Sequence, residues 1–141
     1  MVNFGGARMS TFSVGQELAP QTFIINRAKL LDYANASGDQ NPIHQDEAFA
    51  KSVGLENVIA HGMFTMALAG RYVSDIAGSA AVREFSSRFI KPVVVPANTD
   101  VELIVSGKVL EVSENSAKIE ITSLCNDVKV LGMAKAVISL S

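Results

Sequence analysis

Residues 61–76 read H-G-M-F-T-M-A-L-A-G-R-Y-V-S-D-I, and this stretch decides how the rest of the chain is read. From Gly62 to about Ile76 it is the longest helical candidate in the sequence. Met63, Phe64, Met66, Ala67, Leu68, Ala69 and Gly70 put apolar or small groups nearly all round it. A helix of that composition is buried on most sides, so other segments must wrap it.

The segments that follow can do the wrapping. Val82 to Ile90 alternates partly, with Phe85 and Phe89 on one side and Glu84, Ser86 and Arg88 on the other. Asp100 to Val112 is a long β-rich run, and Ala117 to Leu124 follows after a turn at Ser113 to Ser116. Asn126-Asp127 suits a two-residue hairpin turn into Val128 to Leu140. Strands at this spacing predict an antiparallel meander. With a first short strand at Gln21 to Ile25, the expectation is an α+β hot-dog fold: a five-stranded antiparallel sheet around one long central helix.

Upstream, Asn26 can cap a helix from Arg27 to about Ser37, whose apolar face is Leu30, Leu31 and Ala34. Gly38 suits its C-terminal stop. Gly38 to His44 cannot be a regular helix, because Pro42 lacks an N–H and pushes Asn41 toward an extended conformation. Gln45 to Ser52 reads as a short helix closed by Gly54, and Leu55 to Ala60 as an extended stretch. Residues 1–10 read as a loose tail, with Met9 a possible native start, and residues 11–141 as a single domain.

Bulk composition narrows the class. The chain has 141 residues, 48% of them apolar and 18% charged, which is a globular balance. A net charge of −2 without a clustered basic face argues against a nucleic-acid partner. No apolar run reaches the roughly 20 residues that span a bilayer, and the N-terminus lacks a signal peptide's apolar core, so no membrane is expected. Cys125 stands alone, so no intrachain disulfide can form. Its neighbours Ile121, Ser123 and Val130 read as strand, which makes it a buried structural thiol rather than a nucleophile. A reducing cytoplasm fits this cysteine usage.

The chemistry sits at S-G-D-Q-N-P-I-H, Ser37 to His44. On a helix, Asp39 and His44 would point about 140° apart. With Gly38 and Pro42 breaking the helix, a loop can bring both to one water, where a carboxylate and an imidazole suit acid–base work. Asp39 and Asn41 are also common turn and cap residues, and the string alone supports that plain structural reading equally. The second element is His61-Gly62 ahead of the central helix. Its first N–H groups lack helical partners and carry positive partial charge, so they can receive a developing enolate oxygen. Gly62 leaves room for a carbonyl to approach. Asp39, His44 and His61 also form a two-histidine, one-carboxylate set of the kind metals use, but no supporting pattern of further residues accompanies it, and no metal is expected.

These residues carry a family resemblance. Tyr33, then S-G-D-x-N-P-I-H from Ser37 to His44, then Ala50, resembles the signature of the MaoC-like, or (R)-specific enoyl-CoA hydratase, family. H-G-M-F-T-M from His61 is similar to the start of that family's central helix, and R-F-I-K-P-V from Arg88 to Val93 to its following strand. The resemblance runs from about Phe12 to the C-terminus. It looks closest to the catalytic B subunit of mycobacterial (3R)-hydroxyacyl-ACP dehydratases, which works with a second subunit. Two positions depart: Ala36 stands where a larger aliphatic residue is usual, and Gly70 where some members carry serine.

The resemblance implies that Asp39 and His44 hold and activate a water that adds to C3 of a trans-2-enoyl thioester. It implies that the Gly62 N–H polarises the thioester carbonyl and that Asn41 orders the loop. His61 is then structural or pocket-lining. No cofactor is implied; the substrate rides on CoA or on the phosphopantetheine of ACP. Met63, Phe64 and Met66 read first as core and can also line an acyl tunnel, while Arg71, Arg83, Arg88 and Lys91 are candidates for the carrier's phosphates. A homodimer, or a heterodimer with a second hot-dog subunit, is expected, since a five-stranded sheet leaves edges to cover. Two other readings stand beside this one. A hot-dog thioesterase would need an acid on the central helix, where only Asp75 is offered. A non-catalytic acyl-thioester-binding subunit would have no use for the Asp39/His44 pair.

Overall fold

A computed structural model describes residues 12–141, so the tail expected over residues 1–10 lies outside the described residues. In chain order the elements are β1 (Glu17–Ile25), α1 (Arg27–Ser37), a 3₁₀ turn at Pro42–His44, α2 (Glu47–Ser52), α3 (Gly62–Ala77) and a second 3₁₀ turn at Ser79–Ala81. Then come β2 (Val82–Phe89), β3 (Val101–Val112), β4 (Ser116–Cys125), β5 (Val128–Lys129) and β6 (Leu131–Ser139). The sheet is antiparallel throughout, in the order β1-β3-β4-β6-β2, with β5 paired to β4.

The hot-dog architecture is present, and α3 is its central helix. Alternation in the long strands builds the surface that receives it: Val101, Leu103, Val105 and Val109 of β3 and Ala117, Ile119 and Ile121 of β4 are buried, with exposed residues between many of them. Thr65, Ala69, Tyr72, Val73 and Ala77 form the buried stripe of α3, at the spacing of one helix face. Gly107 lets the two layers meet. A Cβ there would lie 3.1 Å from Ile119 and 3.3 Å from both Leu18 and Tyr72. The Tyr72 hydroxyl then donates to the Ala19 carbonyl at 2.7 Å, inside an irregularity of β1 between Leu18 and Gln21 that accommodates Pro20.

Four sequence expectations about topology and packing are corrected. The sheet has six strands, not five. Asn126 and Asp127 do form a tight turn, both at positive φ, but the strand expected over 128–140 breaks at Val130. The Val130 N–H donates to Ser123, while its carbonyl receives N–H groups from Ile90 and Lys91. Met133, at φ 49, gives β6 a further irregularity next to its shifted pairing with β2. The meander is also incomplete, since β2 pairs with β6 at the far edge and not with β3. Third, α3 is covered on one side only: Met63 is 57% exposed and Ala67 is also exposed. Fourth, Leu31 of α1 faces out, leaving Leu30 and Ala34 as its buried residues.

The segments that position the site are held by caps. Asn26 Oδ1 accepts from the Lys29 N–H at 3.0 Å to start α1, and Gly38, at φ 84, ends it. Asp46 caps α2 through the Phe49 N–H, so that helix begins at Glu47 rather than Gln45. The stretch before α3 is extended and tied to residues 93–95: Ile59 bridges Val94, Val95 N–H donates to Val58, and Ala60 N–H donates to Val93. Among the described residues, no helix is long and apolar enough to cross a membrane.

Candidate active site

The loop after α1 is folded by its own side chains. Asp39 Oδ1 accepts from the Asn41 N–H, and Asn41 Oδ1 accepts from the Ile43 N–H, each at 3.1 Å. The second bond caps the 3₁₀ turn that Pro42 begins, so Asn41 orders the turn. This turn carries His44 inward to 6% exposure, while Asp39 stays exposed.

His44 is fixed by a reciprocal clip. The Ile59 N–H donates to the Ile43 carbonyl at 3.1 Å, and His44 Nδ1–H donates back to the Ile59 carbonyl at 2.7 Å. A carbonyl only accepts, so Nδ1 carries the proton and Nε2 of the neutral ring keeps a free lone pair. Burial holds the His44 pKa below its ordinary value, and a charge on His61 adds to that. The donated bond to Ile59 and the nearby Asp39 carboxylate oppose it. The net effect keeps His44 neutral, and therefore basic, at neutral pH.

A carboxylate oxygen of Asp39 and a ring nitrogen from each of His44 and His61 all lie within 4.8 Å of one another. The arrangement does not fit a metal. The two imidazoles stack at 3.8 Å between centroids with planes only 23° apart. A metal must lie in the plane of each ring that ligates it, about 2.1 Å from the nitrogen. Near-parallel planes at that separation meet well beyond such a reach.

Gly62 opens α3 on the wall of the same cleft as His44, a space of about 420 Å³ lined also by Ile43, Thr65, Phe89 and Lys91. As the first residue of the helix its N–H has no intrahelical partner. Phe89 of β2 lies over it, since a Cβ at position 62 would come within 3.2 Å of that ring. Glycine is what lets an aromatic wall and an open N–H share this point. All four residues singled out in the sequence are therefore placed: Asp39 and His44 together, Gly62 in the cleft with His44, and Asn41 within the turn that delivers it.

Of the basic candidates, Lys91 lines the cleft, and Arg71 is drawn to Asp75 at 3.7 Å instead. Met63 is not core, and Phe64 packs on Tyr33 at 5.1 Å. Cys125 is buried, and burial pushes its thiol up, away from nucleophilic use. Three contributors were not legible in the sequence: the Ile59 carbonyl, Phe89 as a wall over Gly62, and the His61 ring against His44. Each belongs to a segment remote from the Asp39–His44 string, and only the H-G pair at the helix start hinted at the last.

Comparison with known proteins bears on the family. The chain is 47% identical over 73 residues to 3-hydroxyacyl-thioester dehydratase X of Mycobacterium tuberculosis, an alignment covering 52% of this chain and 25% of that protein. It thus spans about a quarter of that curated relative's length. A solved MaoC-like dehydratase superposes with a TM-score of 0.92 at 32% identity, over 99% of this chain and 44% of the other. The unliganded R-hydratase PhaJ1 of Pseudomonas aeruginosa superposes with a TM-score of 0.79 at 28% identity, over 92% of this chain and 82% of that one. The family model described as "MaoC like domain" matches residues 11–124. With that match covering most of the sequence, and the hot-dog fold beneath it, the chain belongs to the MaoC-like family.

Proposed function

We propose that this chain catalyses the reversible hydration of trans-2-enoyl thioesters to (3R)-hydroxyacyl thioesters, carried on CoA or ACP. One observation carries the reading: Asp39 converges on His44, and His44 shares a mostly apolar cleft with Gly62 at the open start of α3. Asp39 and the free Nε2 of His44 hold a water and activate it. Its oxygen bonds to C3 and the C2–C3 double bond opens, so the electron pair moves toward C2 and the thioester carbonyl. A proton released from the water reaches C2 through the same pair. The Gly62 N–H donates to the carbonyl oxygen, where negative charge grows only in the transition state, and so lowers the barrier selectively. Dehydration is the reverse path. No step requires a cofactor.

The thioesterase reading loses ground here. Asp75 is the sole acid of α3; it is engaged by Arg71 and by Gln21 Nε2 at 3.2 Å, and it does not line the cleft. The test is turnover of crotonyl-CoA and longer enoyl-CoA substrates, followed by loss of the conjugated absorbance. Hydration without release of free thiol supports the proposal. Thiol release, or binding without turnover, sinks it.

A second hot-dog subunit, identical or different, completes the molecule in this reading. The uncovered side of α3, with Met63, Met66, Ala67 and Gly70, forms a shallow apolar groove with Val82 and Phe85 of β2. Apolar surface of that kind beside an edge strand suits association. The chain's location in the cytoplasm belongs to the same proposal.

A further inference from the structure

His61 is one of only two histidines in the chain, and neither a capping nor a packing role accounts for it. It occupies the N-cap position of α3, yet its side chain makes no capping bond. It is only 1% exposed, yet its Nδ1 has no hydrogen-bond partner among the described residues. An apolar side chain would fill the space without leaving a buried acceptor unsatisfied, a defect that native structures mostly avoid. The ring's hydrogen bond and its stack both lead to the Asp39/His44 pair. Its Nε2 lies 3.1 Å from the Asp39 carbonyl, so Nε2–H donates there. Its face stacks on His44 at 3.8 Å, and Tyr33 closes the other flank at 4.8 Å.

We propose that His61 is a positioning residue for the Asp39/His44 pair, holding the Asp39 main chain through Nε2–H and the His44 ring plane through stacking. This rests on the hydratase reading above for its catalytic consequence, but not for its geometry. The two contacts do different work. Without the bond from His61, the Asp39 carbonyl has no tie to α3, and the exposed loop can carry its carboxylate away from the water. Without the stack, His44 keeps its Ile59 anchor but gains freedom to tilt about it. Small errors of either kind cost rate, because the carboxylate and imidazole must meet one water together. The groups facing His61 are Asp39 on the loop, His44 on the 3₁₀ turn and Tyr33 on α1.

Two variants separate the contacts. His61→Gln keeps an N–H donor near the Nε2 position but loses the ring. His61→Phe keeps a stacking ring but loses the donor. Steady-state kinetics with an enoyl-CoA should show kcat reduced about tenfold or more in His61→Phe and less in His61→Gln, with KM nearly unchanged in both. NMR of the His44 ring needs no turnover: its ring-proton shifts should change in His61→Gln, which loses the stacked ring, and change less in His61→Phe, which keeps one. If the wild-type chain is inactive, the hydratase reading fails, while the changed His44 ring shifts still support the positioning contact. Folded variants that lower Tm but leave the His44 ring shifts and kcat unchanged would overturn the proposal. Should His61→Phe fail to fold, His61→Gln decides alone: unmoved His44 ring shifts refute it.

Discussion

His44 is kept neutral by where it sits. Its Nδ1–H is taken by Ile59, its Nε2 is left free, and burial disfavours its charged form. Asp39→Asn and His44→Ala should each lower kcat by about 10²-fold or more in the enoyl-CoA assay. Asp39→Asn retains the Oδ1 that accepts from Asn41, so its melting temperature should stay near that of the wild type. The depressed pKa of His44 also predicts how stability varies with pH. The unfolded chain binds this proton more readily than the folded one does. Stability is therefore complete above the unfolded value of about 6.5 and is lost as pH falls through the lower folded value. Thermal melts should show Tm dropping across that window, with a shallower fall in His44→Gln. A fall of equal slope in both proteins would assign the effect elsewhere. Gly62→Ala tests the carbonyl site from the other side. The added methyl presses on Phe89, so kcat/KM should fall roughly tenfold, and Phe89→Ala should restore part of it.

At the scale of elements, two asparagine caps distinguish folding from function. Asn26 starts α1, remote from the cleft, and Asn41 starts the 3₁₀ turn that delivers His44. Replacing either with alanine should cost about 1 kcal/mol and lower Tm by a few degrees. Only Asn41→Ala should also lower kcat, since loosening the turn displaces His44. Equal activity in the two variants would show that the turn keeps its shape without its cap. The central layer is less forgiving. Gly107→Val would drive its side chain into Ile119, Leu18 and Tyr72 and should destabilise the fold by about 1–3 kcal/mol, read from chemical denaturation.

At the scale of the whole molecule, the uncovered side of α3 is the main unfinished surface. The sheet buries the Thr65–Ala69–Tyr72–Val73–Ala77 stripe and leaves Met63 and Ala67 in the open. If a second subunit covers that side, Met66→Arg should reduce the mass measured by light scattering to that of one chain, 15.0 kDa, with the fold intact by circular dichroism. An unchanged mass would place the interface on another face. By itself the sequence determined the kinds of element and offered the residues that the proposed chemistry uses. The β-rich runs of β3 and β4, the caps at Asn26 and Gly38, the break at Pro42 and the long small-and-apolar run after Gly62 all act through neighbours along the chain. The Asp39–His44 string was legible for the same reason, because a single turn built from its own residues brings the pair together. Only the tertiary structure decided which side of α3 is covered, that β2 lies beside β6, and that the Val128–Leu140 run divides at Val130. It alone laid His61 on His44 and Phe89 over Gly62. These are contacts between segments distant in sequence, selected by how layers pack and which backbone groups find partners, and no local pattern encodes them.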